Sequence, residues 1–240
     1  MPLVRAVFFD MGGTLVHGPE GDPWRAVVMP RIQEAFQSHR WAEELYETDL
    51  WKRASPEDPL RQETKRWMGD WLRERGYTFS DADVERLRAA FAAPLPESFR
   101  LAPGATQALQ WCRVRGLATA VLTNLLSRGD AEVREDCERF GLPFDNVVSS
   151  YSTGWAKPHR AMFERALALS GVEAQGAVMV GDDYVADIAG AKRLGLRAVW
   201  IPPTGLRAPG EISERPDAVI PSLHELPAIL ERWCQPLAPH

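Results

Sequence analysis

The chain is 240 residues long, 45% apolar and 25% charged, with a net charge of −5. That balance excludes a general attraction for nucleic acid or acidic lipid. Three widely spaced cysteines, Cys112, Cys137 and Cys234, fit neither a disulfide framework nor a zinc site. No charged-then-apolar leader and no apolar run of about 18 residues is present, so the expectation is a soluble cytoplasmic protein.

Val4 to Phe9 is rich in β-branched and aromatic residues, the composition of a strand covered on both faces. It ends in Asp10, and Gly12, Gly13 and Thr14 make the turn. Val16 to Pro23 is a Gly/Pro-rich, hinge-like stretch. From Trp24 to about Phe91 the spacing is helical: Val27, Ile32, Ala35 and Phe36, then Trp41, Leu45 and Leu50, then Trp67, Trp71 and Leu72, then Val84, Leu87 and Phe91. Ser55 to Asp58 and Ser80 to Asp83 carry helix-start chemistry, and Gly76 is placed to stop a helix. Five of the nine tryptophans lie in this region and are expected to fill the core of a small helical bundle. A second Pro-rich hinge spans Ala92 to Pro103.

From Gly104 onward helices and strands alternate. Strands are expected at Ala118 to Leu122, Phe144 to Ser149, Ala177 to Val180, Arg197 to Ile201 and Ala218 to Ile220. Helices are expected at Ala105 to Arg115, Arg128 to Phe140, Arg160 to Leu169, Ala186 to Leu194 and Leu223 to Trp233. The alternation predicts an α/β fold, a doubly wound, Rossmann-like and mostly parallel sheet. The core would comprise residues 1–16 and 104–235, with residues 17–103 an inserted α-helical cap and its hinges.

Three of these strands end in polar residues: Asp10, Thr123-Asn124 and Asp182-Asp183. In a parallel sheet such ends share one edge, where ligands bind. Lys157 stands in the loop after Ser149 and can reach that edge. Clustered carboxylates repel one another unless a cation joins them, and an all-oxygen set favours Mg²⁺. A Thr hydroxyl, a Lys ammonium and backbone N–H groups suit a phosphate. Together they point to phosphoryl transfer with Asp10 as nucleophile.

On these residues the chain resembles the haloacid dehalogenase-like hydrolase superfamily, whose members are mostly Mg²⁺-dependent phosphatases. The family's Asp-x-Asp-x-Thr motif is matched by Asp10 and Thr14 but not at Gly12. Its strand-end Thr or Ser is matched by Thr123 in AVLTN. Its Lys is matched by Lys157-Pro158 at the end of FDNVVSSYSTGWAKP, and its acidic motif by Gly181, Asp182 and Asp187 in VGDDYVADIAGAKRLG. The resemblance covers about residues 4 to 201 and extends to the helical insert. It implies Asp10 as nucleophile, Asp10, the Gly12 carbonyl and Asp182 as Mg²⁺ ligands, and Thr123, Asn124 and Lys157 as phosphate-binding groups, with Thr123 and Lys157 also catalytic. Asp187, with Asp183 beside it, would orient Lys157 or water. Asp183 has a plainer reading as a helix-start acid, and Asn124 as a loop cap.

Phosphatases of the family carry an Asp where this chain has Gly12. That Asp protonates the leaving group and activates water, help worth about 10²–10⁴-fold. A substitute acid or base could come from His17, Glu20 or Asp22, although His17 reads more simply as a solvated loop residue. Otherwise the substrate has a good leaving group, or the chain is a weak or non-catalytic binder of phosphate or of a partner. A dehalogenase and a phosphonoacetaldehyde hydrolase are weaker alternatives, the latter needing a cap lysine from Lys52 or Lys65. The expected partner is a small phosphorylated substrate rather than nucleic acid or membrane, with the protein a monomer or homodimer.

Overall fold

The computed structural model describes residues 3–19, 23–36, 40, 43–44, 63–125, 127–211 and 213–234. Its strands are β1 (Ala6–Phe9), β2 (Val16–His17), β3 (Arg100–Leu101), β4 (Ala118–Thr123), β5 (Asn146–Ser149), β6 (Ala177–Gly181), β7 (Arg197–Trp200) and β8 (Ala218–Val219). Its α-helices are α1 (Pro23–Phe36), α2 (Thr64–Glu74), α3 (Asp81–Phe91), α4 (Ala105–Val114), α5 (Asp130–Arg139), the single turn α6 (Ser150–Thr153), α7 (Arg160–Ser170), α8 (Gly190–Arg193) and α9 (Leu226–Cys234). Among the described residues no helix is long and apolar enough to cross a membrane.

Six strands form one parallel sheet in the order β5-β4-β1-β6-β7-β8. Parallel neighbours require crossover connections, which here carry helices that cover both faces, except between β7 and β8, where the described residues form none. The alternation of side chains along β1 divides the core. Val7 and Phe9 join one apolar layer with Leu109 of α4, Val133 of α5 and Leu230 of α9. Ala6 and Phe8 join the opposite layer with Met162 and Phe163 of α7 and with Ile188. All four β1 residues are buried, which is why the run reads as continuously apolar. Because β1 lies between β4 and β6, the ends of these three strands meet at the centre of the sheet's carboxyl edge.

Helices α1, α2 and α3 bury a third apolar cluster that includes Val28, Ile32, Trp67, Trp71 and Leu87. Tyr77 stacks on Trp71 at 6.1 Å, and the Arg75 guanidinium lies 4.0 Å from the centre of the Trp71 ring. Ser80 caps α3 in a reciprocal box with Asp83, and Gly76 adopts a φ of +71° beyond α2. Trp41, Leu45, Leu50 and the Ser55 to Asp58 signal lie outside the described residues.

Several elements differ from the sequence reading. The two stretches read as hinges pair with each other: β2 and β3 form an antiparallel ribbon, Val16 opposite Leu101 and His17 opposite Arg100. The chain leaving the sheet and the chain returning to it run side by side and satisfy each other's backbone groups, a pairing of distant residues that local pattern cannot reveal. Helix α5 begins at Asp130 rather than Arg128, because the Glu132 carboxylate accepts from the Gly129 N–H at 2.5 Å. The helix expected from Ala186 opens instead as a π-helical turn, Tyr184–Ala189, running into α8. His159 is the N-cap of α7, its Nδ1 accepting from the Ala161 N–H at 3.3 Å, with Pro158 just before it.

Candidate active site

The carboxyl ends of β1, β4 and β6 open into a cavity of about 290 Å³ lined by Asp10, Gly12, Thr123, Lys157, Asp182 and Asp187 among others. Asp10 follows β1 directly, and its N–H donates to Val180 of β6 at 2.9 Å, which fixes the backbone below the carboxylate. Lys157 reaches this centre from the loop before α7. Its ammonium donates to Asp10 Oδ1 at 2.6 Å, to Asp187 Oδ1 at 2.6 Å and to the Leu122 carbonyl at 2.7 Å. The three donor positions of an ammonium are thereby filled. Lys157 is 2% exposed and Asp187 fully buried, a depth at which charges persist only when paired.

Asn124 anchors Lys157 from the opposite strand end. Its amide Nδ2 donates to the Lys157 carbonyl at 2.9 Å, and its Oδ1 accepts from the Lys157 N–H at 2.8 Å. Both ends of the amide bond the lysine's backbone, so Asn124 fixes the loop that carries Lys157. Asp183 turns to its own helix start. Its Oδ1 accepts from Val185 N and Ala186 N at 2.8 and 2.9 Å, the plainer of its two readings. Asp187 Oδ2 accepts from the Asp183 N–H at 3.1 Å, so Asp187 ties the acidic loop to Lys157. Two glycines permit the close approach. A side chain on Gly181 would collide with the Asp187 carboxylate, and one on Gly13, at φ +84°, with that of Asp182.

The electrostatics follow from this crowding. Burial alone would drive the Lys157 ammonium toward neutrality, but the Asp10 and Asp187 carboxylates outweigh it and hold its pKa above the usual lysine range. Burial pushes Asp187 upward, with Lys157 opposing. Burial, reinforced by the Asp10 charge, pushes Asp182 up to about 6, against a hydrogen bond from the Thr14 hydroxyl at 3.2 Å. Asp10, Asp182 and Asp187 each bring a carboxylate oxygen within 4.8 Å of the others. One ammonium cannot compensate three carboxylates. Hard oxygen donors with surplus negative charge fit a hard divalent cation such as Mg²⁺.

The remaining expected residues are placed as follows. Gly12 lines the cavity, and a β-carbon there would meet no atom within 4 Å. Thr123 closes β4 and is buried at the cavity wall. His17 is exposed on β2 and lines a neighbouring cavity of about 300 Å³ with Gly13, Thr14 and Asp182, not the one that holds Asp10. Glu20, Asp22 and Lys52 lie outside the described residues, and Lys65 pairs with Glu85 at 2.6 Å on α3.

Sequence reading missed two contributors. Thr14, a motif residue whose task local sequence does not disclose, donates its hydroxyl to Asp182. Arg128, read as a helix residue, is buried in the cavity wall between β4 and α5. Its position five residues after Thr123 carries no recognisable pattern.

The chain is similar to known proteins. Residues 4–195 match the family model for haloacid dehalogenase-like hydrolases. The chain belongs to that family. A phosphoserine phosphatase of Thermus thermophilus is 34% identical, in an alignment covering 94% of this hydrolase and 92% of that protein. The haloacid dehalogenase-like hydrolase domain-containing protein 3 of Xenopus laevis is 42% identical over 107 residues, which are 44% of this chain and span less than half, 43%, of that relative. Among solved structures, a 2-haloacid dehalogenase of Pseudomonas syringae superposes with a TM-score of 0.69 at 25% identity, covering 96% of this hydrolase and all of that chain.

Proposed function

We propose that this hydrolase is a Mg²⁺-dependent phosphatase acting on a small phosphorylated metabolite through an aspartyl-phosphate intermediate. The observation that carries the reading is the buried Lys157 ammonium, held between Asp10 and Asp187 beside a third carboxylate, Asp182. A halide-displacing site has no use for that surplus of acid, whereas a divalent cation and a phosphate together neutralise it. The phosphoserine phosphatase relative, which spans nearly the whole chain, supports the same chemistry.

Asp10, Asp182 and the Gly12 carbonyl would hold the Mg²⁺, which supplies charge neutralisation and orientation of the phosphoryl group. Lys157 engages Asp10 Oδ1, which leaves Oδ2 to attack. A bond forms between that oxygen and phosphorus as the ester bond breaks and the leaving oxygen departs with its electron pair. The Thr123 hydroxyl receives the phosphoryl oxygens, the Lys157 ammonium offsets their charge through space, and Asp187 and Asn124 keep Lys157 in place. Water then attacks the phosphorus of the aspartyl phosphate. Its oxygen and one proton are retained in inorganic phosphate, its other proton passes through solvent to neutralise the departed alkoxide as the alcohol, and Asp10 is regenerated. The helical segment, residues 17–103 with its linkers, would act as the cap that covers the site.

The open space at Gly12 favours a second reading, in which the site binds phosphate and metal with slow or no turnover. Incubation with Mg²⁺ and a panel of acyl, sugar and aryl phosphates decides between them. Phosphate release above that of an Asp10→Asn control is the expected result. Saturable phosphate binding without any such release would leave the binding protein as the answer.

A further inference from the structure

Arg128 is the cation of the cavity with donors to spare. It sits between β4 and α5, 2% exposed, and lines the same cavity as Asp10, Thr123 and Lys157. One nitrogen is used: Nη2 donates to the Glu132 carbonyl at 2.8 Å and pairs with Asp136. The other two, Nε and Nη1, are enclosed and have no hydrogen-bond partner. Unmade hydrogen bonds on a buried charged group are a standing cost, and their retention calls for a reason.

Packing does not supply one. Asp136 is also met by Arg139 Nη2 at 2.7 Å and by the Leu95 N–H at 3.1 Å, so it is neutralised without Arg128. One carboxylate is thus shared by two guanidinium groups. Lys157 cannot play the same part, because its three donor positions are taken. The neighbouring wall is apolar, formed by Met11, Val16, Leu95, Phe99 and Leu125, and offers nothing to an uncharged polar tail. Turned toward the cavity, a guanidinium with two unpartnered, enclosed N–H groups is suited to an anion, carboxylate or phosphate.

We propose that Arg128 receives a second anionic group of the substrate, so that the cavity selects small metabolites carrying a carboxylate or a further phosphate besides the scissile one. The proposal rests on the phosphatase reading for the scissile group, but it is a claim about the opposite end of the ligand. Arg128 is a specificity-determining residue in this scheme and takes no part in bond making.

The test uses two matched pairs with Mg²⁺: 2-phosphoglycolate against ethyl phosphate, and propane-1,3-diyl bisphosphate against propyl phosphate. Hydrolysis and the ligand-induced rise in melting temperature are both measured, on the wild type and on Arg128→Lys, which keeps a cation near Asp136. The doubly anionic member of at least one pair is expected to lead by about tenfold or more in kcat/KM and to give the larger melting shift. Arg128→Lys is expected to shrink both differences. Which pair responds identifies carboxylate or phosphate as the second group. Equal behaviour within both pairs in the wild type overturns the proposal, and so does a preference that Arg128→Lys leaves intact. If Arg128→Lys does not fold, the wild-type comparison decides alone. Absence of hydrolysis from all four esters and from aryl phosphates would count against the phosphatase reading, while the melting shifts still judge Arg128.

Discussion

At Gly12 the missing side chain has left room rather than a rearranged backbone, since a β-carbon would meet nothing within 4 Å. Gly12→Asp is therefore expected to fold normally. If the absent acid limits turnover, the substitution raises kcat most for alkyl phosphates, by about tenfold or more of the 10²–10⁴-fold that acid–base help supplies. Activated aryl and acyl phosphates should gain little. Equal gain for all substrates, or none, would show that leaving-group protonation is not what Gly12 lacks. Gly181→Ala should do the opposite kind of harm, because its β-carbon occupies the place of the Asp187 carboxylate. Displacing Asp187 removes one of the three acceptors of Lys157, so activity should fall along with thermal stability. A variant with wild-type melting and rate would contradict that packing. Residues of this kind divide sharply in legibility. Asp10, Thr123, Lys157 and Asp182 could be read because each stands at a strand end or in a motif. The backbone bonds of Asn124 and Asp183 could not, because an amide or carboxylate that bonds its neighbours' backbone looks the same in sequence as one that does not.

Among the elements, α3 shows what local chemistry alone can do. Ser80 N–H and hydroxyl both donate to Asp83 Oδ2 at 2.8 Å, and the Ser80 hydroxyl accepts from the Asp83 N–H at 3.2 Å. The Ser80 backbone and side-chain bonds, with Arg86 added, lower the Asp83 carboxyl from its usual 3.8 to about 2. A carboxylate depressed in the folded state stabilises above its unfolded pKa, and that contribution disappears as pH falls through the folded value. Asp83→Asn should therefore melt below wild type at neutral pH, with the gap closing as pH drops from 3.8 toward about 2. A gap that stays constant across that range would refute the assignment. The capping box was visible as Ser80 followed by Asp83, as were the buried strands as apolar runs. The β2–β3 ribbon and the π-helical turn were not visible. The first depends on two segments meeting across the inserted helices, and the second on the Asp183 cap and the buried Asp187 that follow β6.

Across the whole molecule, the bonds that tie the helical segment and its return linker to the core include one just before α5 and one within it. Arg88 of α3 donates to the Ser127 carbonyl at 2.7 Å, and the Leu95 N–H donates to Asp136 of α5. Asp136, 1% exposed, also holds Arg128 and Arg139. Removing one member of a buried ionic cluster strands the others, at a cost of about 3–5 kcal/mol. Asp136→Ala should lower the unfolding free energy by about that amount in urea titrations, whereas a loss within the error of extrapolation would mean that the cluster relaxes into water.

The sequence by itself determined the alternation of strands and helices, the apolar β1 and the polar strand ends, since each of these is written in neighbouring residues through period, composition and turn chemistry. Tertiary structure alone decided how those ends combine. Only the sheet order places Asp10 between Thr123 and Asp182. Only the loop before α7 carries Lys157 into contact with Asp10 and Asp187, and only burial leaves two nitrogens of Arg128 unpaired in the cavity wall. Distance along the chain says nothing of distance in space, and the charge states on which the chemistry depends are set by the second.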